Sequence, residues 1–269
     1  RDDEPLHLAV RRDGDAYDVD VLGERGRVLA LRGFEMVEAG PLPPGGTFEP
    51  PKGGWSTAVI ARAKKSNSNS TEAKGLLSEA EKAKLTARGT PKRQEDRILG
   101  RMAAKRAIAQ LTGMHASDFQ IENKDTGEPV VLTKDGQPAP HVSISHRDGE
   151  AIAVATNQGR AGIDMELVEA RAPSFAETWF RLNERNLCQG DPRRESQVWA
   201  IKEAVLKVLG TGLRLDPREV EVLDVSDGRA SVRLWGAVAT RHAALGGGEL
   251  SVDIEDESSM VIAVAWMAS

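Results

Sequence analysis

The sequence has little cysteine and no long apolar run. Cys188 is the only cysteine in 269 residues, so no disulfide can form within the chain, as is usual for a reducing cytoplasm. No stretch approaches the ~20 apolar residues of a membrane span. The start, residues 1–4, lacks the apolar core of a signal peptide and also lacks Met, which suggests a piece of a longer polypeptide. We therefore expect a cytoplasmic protein with no membrane partner.

Two further absences narrow the function. The net charge is −5, so no overall positive field attracts nucleic acid, and any anion site must be built locally. Neither a P-loop G-x-x-x-x-G-K-[ST] nor a kinase-like G-x-G-x-x-G occurs, which disfavours the common nucleotide hydrolases and phosphotransferases. The length allows one or two domains with a sizeable core.

Three short segments carry the candidate chemistry: residues 142–146 (VSISH), 162–166 (GIDME) and 199–207 (WAIKEAVLK). Asp164 and Glu166 are two apart, so on a strand they share a face. Glu203 and Lys207 are four apart, so on a helix they share a face. Mg²⁺ prefers hard oxygen ligands and often binds one or two carboxylates plus phosphate oxygens, so the acids indicate a metal site. The alternative is a solvated acidic strand edge and a surface ion pair.

The helix predicted around the third segment has two distinct faces. Its apolar positions recur at helical spacing and form a stripe: Val198, Ile201, Val205 and Leu209. Glu203 and Lys207 lie roughly opposite, so the helix can pack on a core and still present both charges to a cleft.

Two basic features suit a phosphate ligand. A second predicted helix, with Thr90 as cap and Gly113 at its end, carries a basic stripe with members four residues apart: Arg93, Arg97, Arg101 and Lys105. The planar guanidinium donates two hydrogen bonds at once to a phosphate. His146 ends an alternating strand directly after Ser145. The alternatives are a solvated basic face and a histidine that belongs to the following turn.

In this order, the three segments resemble the 4'-phosphopantetheinyl transferases, specifically the larger, monomeric surfactin-type branch. The family pattern reads as a Ser-His strand end, then G-[IV]-D-x-E, then W-x-x-K-E-[AS]-x-x-K, and the likeness covers roughly residues 77–269. It implies an α+β fold of two similar halves related by a pseudo-twofold. One departure is Gly127-Glu128-Pro129, where many relatives have Lys or Arg in the middle; Lys124 is a candidate substitute.

The resemblance also implies a reaction. With Mg²⁺, the 4'-phosphopantetheine arm of coenzyme A passes to a serine of an acyl carrier protein, in polyketide or fatty acid biosynthesis, and adenosine 3',5'-bisphosphate leaves. The implied metal ligands are Asp164, Glu166 and Glu203. The implied catalytic residues are Glu203, Lys207, Asp164 and His146. The implied coenzyme-binding residues are Arg93, Arg97, Arg101, Ser145, His146, Lys202 and Lys207. Glu203 is the expected general base, with a metal-bound water as the rival. A non-catalytic docking module for carrier protein is the alternative function.

The predicted organisation has four parts. Residues 1–55 form an N-terminal antiparallel β segment, 56–76 a linker, 77–158 the first transferase half and 159–269 the second. The N-terminal segment resembles the last strands of a polyketide synthase dehydratase, which would make the chain the end of an iterative, enediyne-type synthase. A small β-extension of a free-standing enzyme is the equal alternative. In the first half, strands at 129–132, 141–145 and 151–155 are expected to form a meander, and Ser196 is expected to cap the helix of the third segment.

Overall fold

A computed structural model describes residues 7–13, 16–23, 26–35, 58–65, 75–87, 89–134 and 139–268. The chain divides into two compact units, Arg1–Gly45 and Gly46–Ser269. The described strands of the first unit are β1 (His7–Asp13), β2 (Ala16–Gly23) and β3 (Gly26–Glu35). They pair antiparallel in the order β1-β2-β3, which confirms the predicted N-terminal antiparallel segment.

The second unit combines helices with antiparallel strands, the predicted α+β class. Its first half contains β4 (Ala58–Lys64), α1 (Glu79–Thr86), α2 (Pro91–Thr112), β5 (Phe119–Asn123), β6 (Pro129–Thr133), β7 (His141–Arg147) and β8 (Glu150–Thr156). Its second half contains β9 (Arg160–Leu167), α3 (Pro173–Trp179), α4 (Leu182–Cys188), α5 (Pro192–Val208), β10 (Val220–Ser226), β11 (Arg229–Leu234), α6 (Gly236–Ala244), β12 (Leu250–Asp256) and β13 (Met260–Met267). None of the helices in the described ranges has the length and apolarity that a bilayer crossing requires.

Each half places one long helix on an antiparallel sheet, as expected of two similar halves. In the first half α2 packs on the sheet β4-β8-β7, and in the second α5 packs on the sheet β10-β11-β12-β13-β9. A third apolar cluster, which includes Ile152 and Val154 of β8 and Ile163 and Met165 of β9, lies between the two sheets. Burying these faces against each other makes the halves one unit.

Local sequence signals set the helix starts. The Ser78 hydroxyl accepts from the Glu81 backbone and the Glu81 carboxylate accepts from the Ser78 backbone, a capping box. Thr90 caps α2, and Gly113 ends it with φ at 71°, as predicted. The predicted start of α5 was wrong: Asp191, not Ser196, caps it by accepting from the Arg194 amide at 2.9 Å.

Two strand predictions were also wrong. Residues 58–64, placed in the 56–76 linker, form β4, which pairs with β8 along its length and buries alternate side chains. The strand at 129–133 pairs with β5 in a separate hairpin instead of continuing the meander, whereas β7 and β8 pair as predicted. In both cases the strand assignment depends on which other strand pairs with the segment, and the local sequence pattern does not show that partner. The other residues of the predicted linker lie largely outside the described ranges.

The glycine of the second segment sits where α5 packs on β9. A Cβ added at Gly162 would lie 2.1 Å from the Ala204 carbonyl oxygen and 2.5 Å from the Val208 amide nitrogen. Both atoms belong to the backbone of α5, so neither can rotate away. The close approach of helix and strand therefore requires glycine at this position.

We predict that Gly162→Ala lowers the free energy of unfolding by ~2–4 kcal/mol, because α5 must move away from β9. Urea unfolding followed by tryptophan fluorescence measures this, since all five tryptophans lie in the second unit. Gly75→Ala is the control: its Cβ would meet nothing within 4 Å. We expect that variant to stay within about 0.5 kcal/mol of the wild type. Equal stabilities of the two variants would refute this role of Gly162.

Candidate active site

The site lies along a seam between the edge strands of the two sheets. Alternate side chains of β7 accept hydrogen bonds from alternate amides of β9. The contacts are His141 Nδ1 with the Ala161 amide at 3.3 Å, Ser143 Oγ with the Ile163 amide at 3.1 Å and Ser145 Oγ with the Met165 amide at 3.2 Å. β7 and β9 belong to different sheets, so these side chains satisfy edge amides that would otherwise be buried without a partner.

Asp164 lies at the centre of the charged cluster. Its Oδ1 accepts from Ser145 Oγ at 2.9 Å and from Lys207 Nζ at 2.6 Å. Lys207 also donates to the Ile163 carbonyl oxygen at 3.1 Å. Asp164 Oδ2 is buried and has no hydrogen-bond partner among the described residues. One carboxylate oxygen is thus fixed by two donors, and the other is left open.

Glu166 and Glu203 complete the acidic set. Glu166 lies on β9 two residues after Asp164 and accepts from Arg171 at 2.9 Å. Glu203 lies on α5, with its carboxylate 4.0 Å from Lys207 Nζ. Burial and then the charge of Asp164 raise the pKa of Glu166 above its ordinary value, and the same two causes raise that of Glu203 to about 7. The structure therefore brings together Asp164, Glu166, Glu203 and Lys207 as predicted.

The acids are arranged around protein cations, not as a ready metal centre. Within the described residues, no three histidine, cysteine, aspartate or glutamate side chains are grouped so as to hold a metal ion. Lys207 forms an ion pair with Asp164, and Arg171 forms one with Glu166. The donor set nevertheless suits a hard cation, since the charge of Asp164 acts on both Glu166 and Glu203 and one buried oxygen of Asp164 has no partner among the described residues.

A cleft of about 540 Å³ lies on the other side of β7. Arg97, Gly100 and Arg101 of α2 line it, together with Ile144 and His146 of β7. Burial lowers the pKa of Arg101, and its guanidinium donates to Asn123. The predicted arginine face and His146 therefore meet at one cavity.

Two members of the basic stripe lie elsewhere. Arg93 is exposed in the first turn of α2, and its phosphate contact stays a prediction. Lys105 is buried, pairs with Glu81 at 2.8 Å and donates to the Ala116 carbonyl oxygen at 2.8 Å. Lys105 thus ties α1 and the following loop to α2 and is not a phosphate ligand.

Two expected coenzyme-binding residues are wrongly assigned. The hydroxyl of Ser145 donates to Asp164 and accepts from the Met165 amide, so it has no donor left for a phosphate. Strand alternation sends Ser145 to the seam and His146 to the cleft. Lys202 is fully buried, lies 2.7 Å from Glu184 and donates to the Pro217 and Val220 carbonyl oxygens. It is a core residue out of reach of a ligand.

Glu128, where many relatives have Lys or Arg, has a structural role in this chain. Its carboxylate contacts Lys124 at 2.8 Å, His141 at 3.5 Å and Arg160. The nearby His141 ring and the two cations hold the pKa of Glu128 well below its usual range. Arg160 also donates to the Val208 carbonyl oxygen at 2.7 Å, so Glu128 ties the β5–β6 hairpin to β7, β9 and the end of α5.

Sequence reasoning missed Arg171. It follows β9 by four residues, binds Glu166 and stacks over the Phe175 ring, with 4.5 Å from guanidinium carbon to ring centroid. Phe175 in turn packs edge-on against Trp199 of α5, with 5.0 Å between centroids. Nothing in the local sequence pattern singles out this arginine, because only the fold brings it to the acids.

The geometry agrees with comparisons to known proteins. Residues 160–265, from β9 to β13, match the family model of the 4'-phosphopantetheinyl transferase superfamily. A holo-[acyl-carrier-protein] synthase of Geobacillus is 38% identical over 84 residues, which cover 29% of this chain and 70% of the relative. One from Frankia casuarinae is 35% identical over 95 residues and is covered to 79%. The chain belongs to the 4'-phosphopantetheinyl transferase superfamily.

Among the longer transferases the match is partial. The 4'-phosphopantetheinyl transferase psf-1 of Bacillus pumilus is 27% identical over 142 residues, which are 51% of this chain and 59% of that relative. The chain therefore spans about three fifths of the length of that superfamily member. The solved Helicobacter pylori holo-[acyl-carrier-protein] synthase in complex with coenzyme A aligns with 40% of the chain and 99% of its own length, at 20% identity and a TM-score of 0.35.

We predict that Lys202→Met is a stability defect. It leaves Glu184, which is fully buried, without its cation, and should lower the free energy of unfolding by ~3–5 kcal/mol. Lys202→Met/Glu184→Gln removes the unpaired charge and should recover part of the loss. Lys92→Met, at an exposed position of α2, should change stability by less than about 0.5 kcal/mol. Urea unfolding of the four proteins measures this, and a Lys202→Met protein as stable as wild type would refute the core assignment.

Glu128→Gln should show a stability loss that depends on pH. The folded-state pKa of Glu128 lies below its ordinary value of 4.5, so its ionised form stabilises the fold above that pH and the contribution is lost as the pH falls. At neutral pH the variant should be ~1–3 kcal/mol less stable than wild type.

The difference should shrink as the pH is lowered below 4.5 in parallel urea titrations. Glu122→Gln, an exposed position on the same hairpin, is the control and should stay near wild type throughout. A difference for Glu128→Gln that is constant with pH would contradict the assigned ion pairs.

Proposed function

We propose that this chain is a surfactin-type 4'-phosphopantetheinyl transferase that modifies a serine of an acyl carrier protein with the arm of coenzyme A. The observation that carries the proposal is the meeting of Asp164, Glu166, Glu203 and Lys207 at the seam between the halves. A cleft lined by Arg97, Arg101 and His146 lies on the other side of β7 and offers cations to a coenzyme.

Asp164, Glu166 and Glu203 would hold Mg²⁺. When bound, the ion neutralises charge on the diphosphate of coenzyme A and so lowers the barrier to its cleavage. The protein's own arrangement favours a cation there, because burial and the charge of Asp164 raise the pKa values of Glu166 and Glu203. The chemistry then depends on positioning and charge neutralisation more than on covalent intermediates.

The remaining steps fall to side chains of the site. A bond forms between the carrier serine oxygen and the pantetheine phosphorus, and the diphosphate P–O bond breaks. The serine proton passes to Glu203, directly or through a water. Lys207, about 24% exposed, faces the site and balances charge on the departing adenosine 3',5'-bisphosphate, with His146 assisting from the strand end.

The biological setting is part of the proposal. A cytoplasmic monomer acting in polyketide or fatty acid biosynthesis fits the family likeness, and the three-stranded N-terminal sheet is compatible with the tail of a synthase dehydratase. The organisation into transferase halves at 77–158 and 159–269 is kept as a proposal, with β4 added to the first half.

We predict that Asp164→Asn and Glu203→Gln each lower the rate of transfer by at least ~10²-fold, because each removes charge that faces the diphosphate. The assay incubates the full chain with coenzyme A, Mg²⁺ and a panel of apo-carrier proteins and reads the intact mass of the carrier. Glu177→Gln, at an exposed position of α3, is the matched control and should transfer at the wild-type rate.

The outcomes separate the rival functions. A carrier that gains one phosphopantetheine arm identifies a transferase. Binding of carrier or coenzyme A with no mass gain identifies a docking module. Wild-type transfer by Asp164→Asn would refute the assignment of that carboxylate to the reacting diphosphate.

A further inference from the structure

We propose that Ser145 is a positioning residue whose hydroxyl turns the Asp164 carboxylate so that Oδ2 faces a bound divalent cation. The inference rests on the proposed function and deepens it, because it assigns to the serine of the Ser-His strand end a partner in the protein instead of the coenzyme.

The orientation of Asp164 is fixed by donors from two elements. Ser145 of β7 and Lys207 of α5 both donate to Oδ1, at 2.9 and 2.6 Å. The two carboxylate oxygens are chemically equivalent, so a half-turn of the group would restore the same two hydrogen bonds on the other oxygen. In either position one oxygen accepts both hydrogen bonds and the other points away from both donors.

The proton of Ser145 has only one direction in which to point. The Met165 amide donates to Oγ at 3.2 Å, so the hydroxyl acts as acceptor there and gives its own hydrogen to Asp164. The side chain is buried, with 6% of the residue exposed. The backbone of β9, the strand that carries Asp164, thus holds the Ser145 hydroxyl in place.

The unpartnered Oδ2 of Asp164 indicates a ligand position. A buried polar atom without a partner destabilises the fold, so native proteins rarely keep one without a use. Asp164 Oδ2 is such an atom among the described residues. Glu166 lies two residues further along the same face of β9, and the Glu203 carboxylate lies 4.0 Å from the Lys207 Nζ that pairs with Asp164. This further carboxylate charge favours a divalent hard cation. Groups that orient a metal ligand commonly change metal affinity 10–100-fold when removed.

The chain provides a matched control in Ser143. It lies on the same strand, is equally buried at 4% exposure and accepts from the Ile163 amide at 3.1 Å. It forms the same seam contact as Ser145, but its hydroxyl makes no hydrogen bond to a carboxylate among the described residues. Ser143→Ala therefore removes a seam hydrogen bond, whereas Ser145→Ala removes a seam hydrogen bond and the contact to Asp164.

The test measures Mn²⁺ binding by electron paramagnetic resonance, on the full chain with saturating coenzyme A, for wild type, Ser143→Ala and Ser145→Ala. We expect Ser145→Ala to bind Mn²⁺ ~10–100-fold more weakly than wild type. Ser143→Ala should stay within about twofold, because it touches no ligand. Thermal unfolding of both variants should show similar losses of stability. If Ser145→Ala does not fold, Ser145→Cys replaces it, since a thiol fills the space but is a weak donor.

Each result decides a different question. Weaker Mn²⁺ binding in the Ser145 variant alone supports the inference. Equal affinities in the two serine variants overturn it and leave the transferase assignment untouched, because carrier modification is read separately by intact mass. A wild-type protein that modifies carrier but binds no Mn²⁺ overturns both the metal assignment and this inference.

Discussion

The site depends on the side-chain seam between β7 and β9. Two sheets from different halves end at these strands, and a strand edge that is buried must find partners for its amides. His141, Ser143 and Ser145 supply acceptors at two-residue intervals, matched to the amides of the facing strand. The spacing fixes the register between the halves, since a shift by one residue would present Val142 and Ile144 to those amides. The position of the acids of β9 relative to the cleft beside α2 follows from that register.

The charged cluster is balanced locally, not by the chain as a whole. Three acids lie beside three cations: Lys207 pairs with Asp164, and Arg171 and Arg147 both pair with Glu166. Burial and then the charge of Asp164 raise the pKa values of Glu166 and Glu203. Burial alone lowers the pKa of Lys207, but Asp164 and Glu203 raise it above its ordinary value, so it stays charged.

Sequence reasoning succeeded where the signal is local or periodic. The cap Thr90, the C-terminal Gly113 and the two faces of α5 all follow from short-range rules, and the structure has them as predicted. Failures came where the decisive partner is distant in sequence. The strand at 58–64 is defined by β8, roughly ninety positions later, and Arg171 reaches the acids only through the fold. Strand alternation places Asp164 and Glu166, two residues apart, on one face of β9. The same alternation places the adjacent Ser145 and His146 on opposite faces of β7, so they cannot bind the same phosphate.

The third segment shows how one motif serves two purposes. A helix turns by about 100° per residue, so Lys202 lies beside the apolar stripe of α5, whereas Glu203 and Lys207 lie nearly opposite that stripe. Lys202 therefore lies in the core, where it pairs with Glu184 and donates hydrogen bonds to carbonyl oxygens. Glu203 and Lys207, one turn apart, face the acids of β9. Family register alone cannot separate these roles, because a buried ion pair and a reacting charge constrain the sequence equally. Only the direction of each side chain does so: it places Lys202 in the core and Lys207 beside Asp164.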